Sequence, residues 1–305
     1  MSDLLYRTGI APINWSNEDK PELGASISLD QCLREIQEAG YSGTEPGYKF
    51  PETPDTMNQI LKKYNLRLAS SWFSTFFADH QSHSQQLHLL EQKLKFLKAC
   101  GARCINLAEC TRAIHGDQTR LLSDKPELTN AEWDRFLEGM DKASVLCEKY
   151  DILLTYHQHM GTVIQNEDEL TRLLANTNPK TIGLCLDTGH LMYAGMDSYE
   201  IYCLYQHRVW HVHLKDLRND VFKSVGQNTS FLDAVLKGIF TVPGDGLIDF
   251  VPLVSRLQKD RYKGWIIVEA EQDPERANPL DYAKTGMNYL KSLYIQTSEK
   301  AQEYQ

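Results

Sequence analysis

Eight short β-rich segments alternate with amphipathic helical stretches along the 305-residue chain, and this alternation constrains the fold more than any other feature. Strands that alternate with helices predict a parallel sheet, because each helix carries the chain back to the edge where the next strand begins. Eight such units in a chain of this length predict an α/β fold, a single (β/α)8 barrel of the TIM type. The predicted strands are residues 7–13, 43–45, 66–72, 103–108, 152–157, 182–187, 209–214 and 265–270.

Several helix ends carry recognisable signals. Ser28 precedes Gln31 by three residues and Thr129 precedes Glu132 by the same spacing, so both pairs predict capping boxes at helix starts. Gly40 is suited to the left-handed conformation that ends a helix. No linker or shift in composition interrupts the chain, which predicts one catalytic barrel domain over residues 1–294 and a polar tail over residues 295–305.

Charge and cysteine content restrict the class of protein. A net charge of -9 at pH 7, without a run of Lys and Arg, disfavours a nucleic-acid partner. Seven cysteines with no Cys-x-x-Cys pair disfavour a disulfide framework or a zinc ribbon, and favour reduced thiols in a cytoplasmic protein. The first residues do not resemble a secretory signal and no apolar stretch approaches membrane-spanning length, so we expect no membrane partner.

Polar and ionisable side chains gather on one face of the last four predicted strands. In a barrel, inward-facing residues alternate with residues that pack on the helices, and here the alternate positions are apolar. Catalytic residues of such barrels come from the carboxyl ends of the strands. The inward positions at or near those ends carry His157, His159, Asp187, His213, Lys215, Glu269 and Glu271, and His190 follows one turn later.

This cluster predicts a metal centre. Buried carboxylates and imidazoles are costly without compensation, which a cation bound by Asp187, His213 and Glu269 would provide. Oxygen and nitrogen ligands without sulfur suit Mn²⁺, Co²⁺, Fe²⁺, Zn²⁺ or Mg²⁺, and the residues do not choose among them. Each piece alone has an ordinary structural explanation, such as a core His pair, a salt-bridged Glu or a turn at Asp187. Convergence at four successive strand ends favours the functional interpretation.

Five further histidines are interpreted as structural. His80, His83, His88 and His207 stand apart from the strand ends. His115 receives the same interpretation, although its position in the long connection over residues 110–130 makes it a lid candidate. A second long connection spans residues 216–248, and in a barrel both would lie on the catalytic face.

Motifs along the chain resemble a known group of barrels. LCLDTGH at residues 184–190, HVHLKD at 211–216, PGDGLIDF at 243–250 and VE at 268–269 resemble the xylose-isomerase-like superfamily. GIAPINWSN at residues 9–17, GTEPG at 43–47 and YHQHMGT at 156–162 look like the inosose dehydratase (2-keto-myo-inositol dehydratase) family. The resemblance therefore covers nearly the whole chain.

The resemblance implies a metal-ligand set. The usual ligands of the superfamily are Glu, Asp, His and Glu from successive strands, and Asp187, His213 and Glu269 match the last three. The first Glu has no clear counterpart. Gln165 stands where related sequences often carry Glu, so the fourth ligand is Gln165, His159 or water. The resemblance also implies Mn²⁺ or Co²⁺ as the metal and an association with glutathione.

The implied reaction is the loss of water from a small polyol ketone, 2-keto-myo-inositol, to give a trihydroxycyclohexane-dione. A cation would polarise the ketone and stabilise the enediolate, while a base removes the adjacent proton and an acid assists the departing β-hydroxyl. The candidate proton carriers are His190, Lys215 and Glu271. The candidate substrate contacts are Trp15, Glu45, Trp72, Glu109, His157 and His159. For the two Trp side chains, packing at the barrel mouth is an equally good explanation.

Three other functions stay open at this point. A sugar isomerase or epimerase on the same fold shares the enediolate and differs in keeping the hydroxyl group. An endonuclease of apurinic sites would need more metal ligands and a basic face, which the acidic balance disfavours. A non-catalytic polyol-binding protein would show no turnover with any metal. Assembly into a homo-oligomer is open as well.

Overall fold

A parallel sheet of nine strands curls into a barrel, which the computed structural model describes over residues 4–79, 83–226 and 228–303, with side chains to residue 297. The strands of this sheet are β1 (Thr8–Ile10), β2 (Gly43–Thr44), β3 (Arg67–Leu68), β4 (Trp72–Thr75), β5 (Cys104–Glu109), β6 (Leu153–His157), β7 (Ile182–Asp187), β8 (Val209–Leu214) and β11 (Ile266–Val268). A separate antiparallel pair consists of β9 (Asp216–Leu217) and β10 (Phe240–Thr241).

Helices surround the sheet and connect its strands. They are α1 (Leu29–Ala39), α2 (Pro54–Lys63), α3 (His83–Ala99), α4 (Asn130–Tyr150), α5 (Glu167–Ala175), α6 (Thr188–Tyr193), α7 (Ser198–Tyr205), α8 (Asn219–Ser224), α9 (Phe231–Leu236), α10 (Val251–Lys259) and α11 (Pro279–Glu303). The last helix crosses the predicted domain boundary at residue 294, which stays a prediction. No helix in the described ranges is long and apolar enough to cross a membrane. The seven cysteines, all within those ranges, are free.

The third predicted strand, residues 66–72, is wrong as a single element. Its first part, β3, pairs with β2, whereas β4 begins at Trp72 and pairs with β5. Between them, Ala69 N donates to Thr44 O at 2.9 Å and Ser71 O accepts from Asn106 N at 2.9 Å. β3 and β4 thus follow one another within a single strand position of the barrel. β3 pairs with the strand on one side of that position, and β4 pairs with the strand on the other side. Nine strands therefore fill eight barrel positions.

The strands that carry the predicted site have the boundaries and register that bring it together. β7 and β8 span the predicted residues, while β1 and β11 are shorter than predicted. Asp187 is the register partner of His213 across β7 and β8, and Ile267 is the partner of His213 across β11 and β8. Because side chains alternate along a strand, Glu269 points to the same side as Ile267. The side chains of Asp187, His213 and Glu269, at three strand ends, therefore point into one region.

Apolar packing follows the predicted alternation. Leu154 and Tyr156 of β6 are buried in the layer between sheet and helices, where the Tyr156 ring meets Phe136 of α4 at a centroid distance of 5.8 Å. Inside the barrel, Ile267 packs with Ala11 and Ala69 in a small separate cluster. The polar face of the strands therefore lies over an apolar plug, and its ionisable groups gather toward the carboxyl ends.

The predicted helix ends form, with one difference. Thr129 and Glu132 make a reciprocal capping box at the start of α4. Ser28 Oγ accepts from Gln31 N at 3.1 Å, but the Gln31 side chain turns to Glu35, so only half of that box is present. Gly40 ends α1 with φ 92°. These signals are local, which is why the sequence alone predicts them well.

Candidate metal centre and substrate pocket

Four buried side chains at neighbouring strand ends bring their ligand atoms together. His157, Asp187, His213 and Glu269 place one ligand atom each within 4.8 Å of the others. His213 Nδ1 lies 2.7 Å from Glu269 Oε2 and 3.2 Å from His157 Nε2. Asp187 Oδ2 lies 3.5 Å from His157 Nε2 and 3.6 Å from His213 Nδ1. The three residues predicted to share a cation thus face a common point, together with His157.

The carboxylate Glu45 orients His213. Glu45 Oε1 lies 3.2 Å from His213 Nε2 and 2.9 Å from His211 Nε2, and it also accepts from Asn106 and Ser70. Burial opposes ionisation of Glu45, but His213 and His211 keep its pKa well below the usual value. An ionised partner on Nε2 fixes the ring and leaves Nδ1 toward the cluster, as carboxylates commonly do behind histidine ligands. Glu45 lines the pocket, but its predicted substrate hydrogen bond competes with this role.

The charge of the cluster suits a cation. Burial opposes ionisation of Glu269, yet Lys215 and His213 lower its pKa to about 2. Burial also opposes ionisation of Asp187, whose pKa is held well below its usual value chiefly by Lys215. Asp187 Oδ2 is buried and has no hydrogen-bond partner in the described part of the chain. Two ionised carboxylates beside two imidazole nitrogens are a donor set that first-row divalent cations accept.

Gln165, one of the predicted choices for the fourth ligand, lies in the turn after β6. Gln165 Oε1 accepts from Gly161 N at 2.7 Å, and its backbone N donates to Glu169 at 2.8 Å. The amide oxygen therefore holds this turn, and a role for Gln165 as a ligand stays a prediction. His157, which the sequence assigned to the substrate, completes the group. Its inward position at the end of β6 is the sequence signal for this role, although His stands where the superfamily usually carries a carboxylate.

Lys215 and His190 lie behind the cluster. Lys215 Nζ is 2.7 Å from Glu269 Oε1, 3.6 Å from Glu271 Oε2 and 3.0 Å from His190 Nε2. Both side chains are fully buried. Burial lowers the pKa of Lys215, but Glu269 and Glu271 raise it above the usual value. A firmly charged ammonium held by carboxylates is a poor proton carrier. Of the three predicted carriers, Glu271 lines the pocket, whereas His190 and Lys215 do not.

A glycine keeps Lys215 in place. A Cβ on Gly189 would lie 2.6 to 2.8 Å from the Cβ, Cγ and Cδ atoms of Lys215. We expect Gly189→Ala to push the ammonium from its carboxylates, which lowers kcat on the order of 100-fold and costs about 1–3 kcal/mol of stability. Steady-state kinetics and urea unfolding measure both effects. Gly226→Ala is the control, since no described atom lies within 4 Å of the added Cβ. An unchanged kcat in Gly189→Ala would contradict this role.

Three members of the cluster, His157, His213 and Glu269, line a pocket of about 140 Å³, whereas Asp187 is buried and does not line it. Trp72, His159 and Glu271 stand in its wall. The Trp72 ring meets the rings of His157 and His159 edge-on, at centroid distances of 5.3 and 5.6 Å. Burial, partly offset by Lys215, raises the pKa of Glu271 to about 7. Burial and His157 lower the pKa of His159 to about 3. The pocket thus presents an apolar ring surface, a neutral imidazole and a protonatable carboxyl group.

Trp15 lies away from the pocket, contrary to its prediction as a substrate contact. It is fully buried, and its Nε1 donates to Glu35 of α1 at 2.6 Å. The alternative explanation, packing at the barrel mouth, is therefore correct for this residue. Its loop reaches the pocket through Ile13 and Ser16.

Glu109 also lies outside the pocket, where it ties two loops together. Its carboxylate accepts from the Thr75 hydroxyl at 2.8 Å, from Phe77 N at 2.9 Å and from Ala78 N at 3.4 Å. Thr111 donates to it through both its backbone N and its hydroxyl. With its oxygens taken by the protein, Glu109 has no capacity to bind substrate, and its prediction as a substrate contact is wrong.

Replacing Glu109 tests this structural role. We expect Glu109→Gln to lower the free energy of unfolding by about 1–3 kcal/mol. The NH2 group of the buried Gln would face the N–H and O–H donors that the Glu109 carboxylate accepts from. The KM for the substrate is expected to stay the same. Urea denaturation and steady-state kinetics measure the two quantities. A raised KM with unchanged stability would instead show that Glu109 contacts the substrate.

Residues of two loops reach the pocket, and of these only His115 was named from the sequence, as a structural residue and a lid candidate. Asp19 and Glu18 stand in its wall, as does His115, whose ring lies 5.1 Å from that of His159. His115 was interpreted as structural, and its long loop was the only signal for its position. His83 and His88 contact the Phe77 carbonyl and Gln92, and His207 lies in a 3-10 turn (Gln206–Arg208). His80 lies outside the described residues.

Comparison with known proteins defines the class. The family model described as a xylose isomerase-like TIM barrel matches residues 33–293. The chain therefore belongs to this family, and the predicted fold class is confirmed. Solved structures agree: L-ribulose 3-epimerase superposes with a TM-score of 0.70 at 14% identity, covering 98% of this chain and 97% of that one. The IolI protein with a bound zinc atom gives a TM-score of 0.65 at 14% identity, covering 96% and 98%. These likenesses show the fold alone.

Sequence relatives define the family more narrowly. The inosose dehydratase of Mesomycoplasma hyopneumoniae strain J is 46% identical over 294 residues, which cover 94% of this chain and 96% of that protein. The inosose dehydratase of Lacticaseibacillus casei strain BL23 is 41% identical over 293 residues, covering 95% and 97%. Within the barrel family, the chain belongs to the inosose dehydratases. It is accordingly an enzyme of the hydro-lyase class, as the resemblance implied.

Proposed function

We propose that this enzyme removes water from 2-keto-myo-inositol to give a trihydroxycyclohexane-dione, and that it uses one divalent cation held by His157, Asp187, His213 and Glu269. The observation that carries the proposal is the convergence of these four ligand atoms within 4.8 Å, where His157, His213 and Glu269 also line a pocket. The names of relatives more than 40% identical over nearly the whole chain support the substrate.

The donor set fits the proposed cation. Two imidazole nitrogens and two carboxylates without a thiolate suit Mn²⁺ or Co²⁺, and equally Zn²⁺ or Fe²⁺. A structural neighbour carries a zinc atom, which supports a divalent ion but not its identity. When bound, the ion supplies a Lewis acid for the ketone oxygen of the substrate. We propose Mn²⁺ or Co²⁺ as the working ion.

The residues in the pocket wall are proposed to move the protons. His159 Nδ1 lies 2.8 Å from the Met160 carbonyl, which places its proton there and leaves Nε2 as an acceptor. His159 Nε2 lies 3.8 Å from Glu271 Oε1. We assign removal of the proton beside the ketone to His159, and delivery of a proton to the departing β-hydroxyl to Glu271. The hydroxyl leaves with that proton as water, and the remaining enol tautomerises to the dione.

His190 and Lys215 are proposed to position these groups. The rings of His190 and His159 lie 3.8 Å apart, and Lys215 bridges His190 to Glu269 and Glu271. Trp72 is proposed to pack against the ring of the substrate, because its side chain lines the pocket. A requirement for glutathione, a cytoplasmic location and a homo-oligomeric state stay predictions.

One assay separates dehydration from isomerisation. The purified, metal-loaded enzyme is incubated with 2-keto-myo-inositol, with and without glutathione, and products are followed by dione absorbance and mass spectrometry. We expect a product lighter than the substrate by one water molecule. A ketone of unchanged mass would identify an isomerase or epimerase instead, and no turnover with Mn²⁺, Co²⁺, Zn²⁺ or Mg²⁺ would leave a binding protein.

A further inference from the structure

A single buried ammonium lies beside three carboxylates at the proposed centre. Lys215 Nζ lies 2.7 Å from Glu269, 3.6 Å from Glu271 and 3.8 Å from Asp187. The side chain is fully buried, and Nζ lies 4.6 Å from the centre of the Phe240 ring. Burying a charge at this depth is costly, so these contacts must stabilise it.

Lys215 stands between two sets of ligands. The first is the proposed metal centre. The second consists of His159, His190 and Glu271, whose ligand atoms also lie within 4.8 Å of one another. His190 Nε2 is 3.0 Å and Glu271 Oε2 is 3.6 Å from the ammonium, so two members of the second set contact Lys215. Glu271 Oε2 is buried and has no hydrogen-bond partner in the described residues, and the ammonium is the cation beside it.

Lys215 supplies positive charge at the place where the second set would bind a cation. Its Nζ lies 3.0 Å from His190 Nε2 and 3.6 Å from Glu271 Oε2. A divalent ion held by His159, His190 and Glu271 would therefore stand beside the ammonium. Two like charges so close together in a buried site repel each other strongly.

We propose that Lys215 is a built-in cation that occupies the place of a second metal ion and limits this centre to one. The proposal rests on the proposed metal-dependent function. It makes Lys215 a positioning residue that holds Glu271 and His190 in the arrangement that a second ion would otherwise impose. It also predicts that a neutral side chain at position 215 uncovers a second metal site formed by His159, His190 and Glu271.

Metal stoichiometry tests the proposal. The full-length enzyme and its variants are equilibrated with Mn²⁺ or Co²⁺ by dialysis, and bound metal per chain is measured by plasma mass spectrometry. We expect about one ion in the wild type and about two in Lys215→Met. Lys215→Arg keeps the charge and is expected to bind one ion. Lys215→Met combined with His159→Ala loses a ligand of the second site and is expected to return to one.

The outcomes separate this proposal from the proposed function. If the wild type binds no metal, the proposed metal-dependent function is itself contradicted. One ion in the wild type and one in folded Lys215→Met, with thermal unfolding as the check on folding, overturns only the role of Lys215. If Lys215→Met does not fold, the wild type alone decides: at millimolar metal it must still bind one ion, and two ions would overturn the proposal.

Discussion

Asp187→Asn is expected to lower kcat/KM on the order of 1000-fold and to remove tight binding of the metal. The substitution exchanges an ionised ligand for a neutral amide of the same size. It leaves the helix cap intact, because Asp187 Oδ1 accepts from His190 N at 2.9 Å and Asn caps helices as well as Asp does. The loss therefore reports charge at Oδ2, the buried oxygen that faces His157 and His213. Kinetics and metal analysis of the purified variant measure both effects.

Asp197→Asn is the matched control for that substitution. Asp197 caps α7 by accepting from Tyr199 N at 2.8 Å and Glu200 N at 2.9 Å, and it is exposed. The same chemical change at the same kind of position is expected to leave kcat/KM and metal content unaltered. Equal activity in the wild type and both variants would mean that Asp187 holds no catalytic ion.

The second large effect is expected for Glu271→Gln, which should lower kcat by roughly 100- to 10,000-fold with a nearly unchanged KM. An amide cannot deliver a proton to a leaving hydroxyl group, yet it fills the same space in the pocket wall. Glu271 is not in the proposed ligand set, so one metal ion per chain should still bind. Steady-state kinetics together with metal analysis distinguish this residue from a ligand.

Glu275→Gln serves as the control, since Glu275 lies four residues further along and is exposed. It is expected to behave as the wild type. A leaving group that needs no proton offers a further check: if the β-hydroxyl is replaced by fluoride, Glu271→Gln should recover much of its lost rate. A variant that keeps full activity on the natural substrate would exclude Glu271 as the proton carrier.

The sequence predicts those parts of the fold that local pattern determines. The alternation of apolar and polar residues in β7 and β8 places their boundaries correctly, and the cap at Thr129 forms as predicted. The split between β3 and β4 could not be predicted in this way. Residues 69–71 are set by hydrogen bonds to two different neighbours, and those neighbours lie far away in the chain. Local residue preferences do not determine which distant strand a segment pairs with, so they cannot predict this change of partner.

The same distinction between local pattern and distant contacts applies to the candidate site. Strand-end positions identified Asp187, His213 and Glu269, because a parallel barrel forces such residues to one end. Glu109 occupies an equivalent strand end, and only its loop donors reveal that its oxygens are already used. His115 reaches the pocket through a loop whose path depends on tertiary contacts, such as Ile114 N donating to Gly161 O at 2.9 Å. The shared end of the strands can be predicted from the sequence, whereas loop docking cannot.

The central claim is that His157, Asp187, His213 and Glu269 hold one catalytic cation. The most direct measurement is anomalous diffraction from crystals grown with Mn²⁺ or Co²⁺, recorded on both sides of the metal absorption edge. We predict one strong anomalous peak within bonding distance of all four side chains, with none between His159, His190 and Glu271. No peak at the four residues in a fully active crystal preparation, or a peak bound by other residues, would contradict the account.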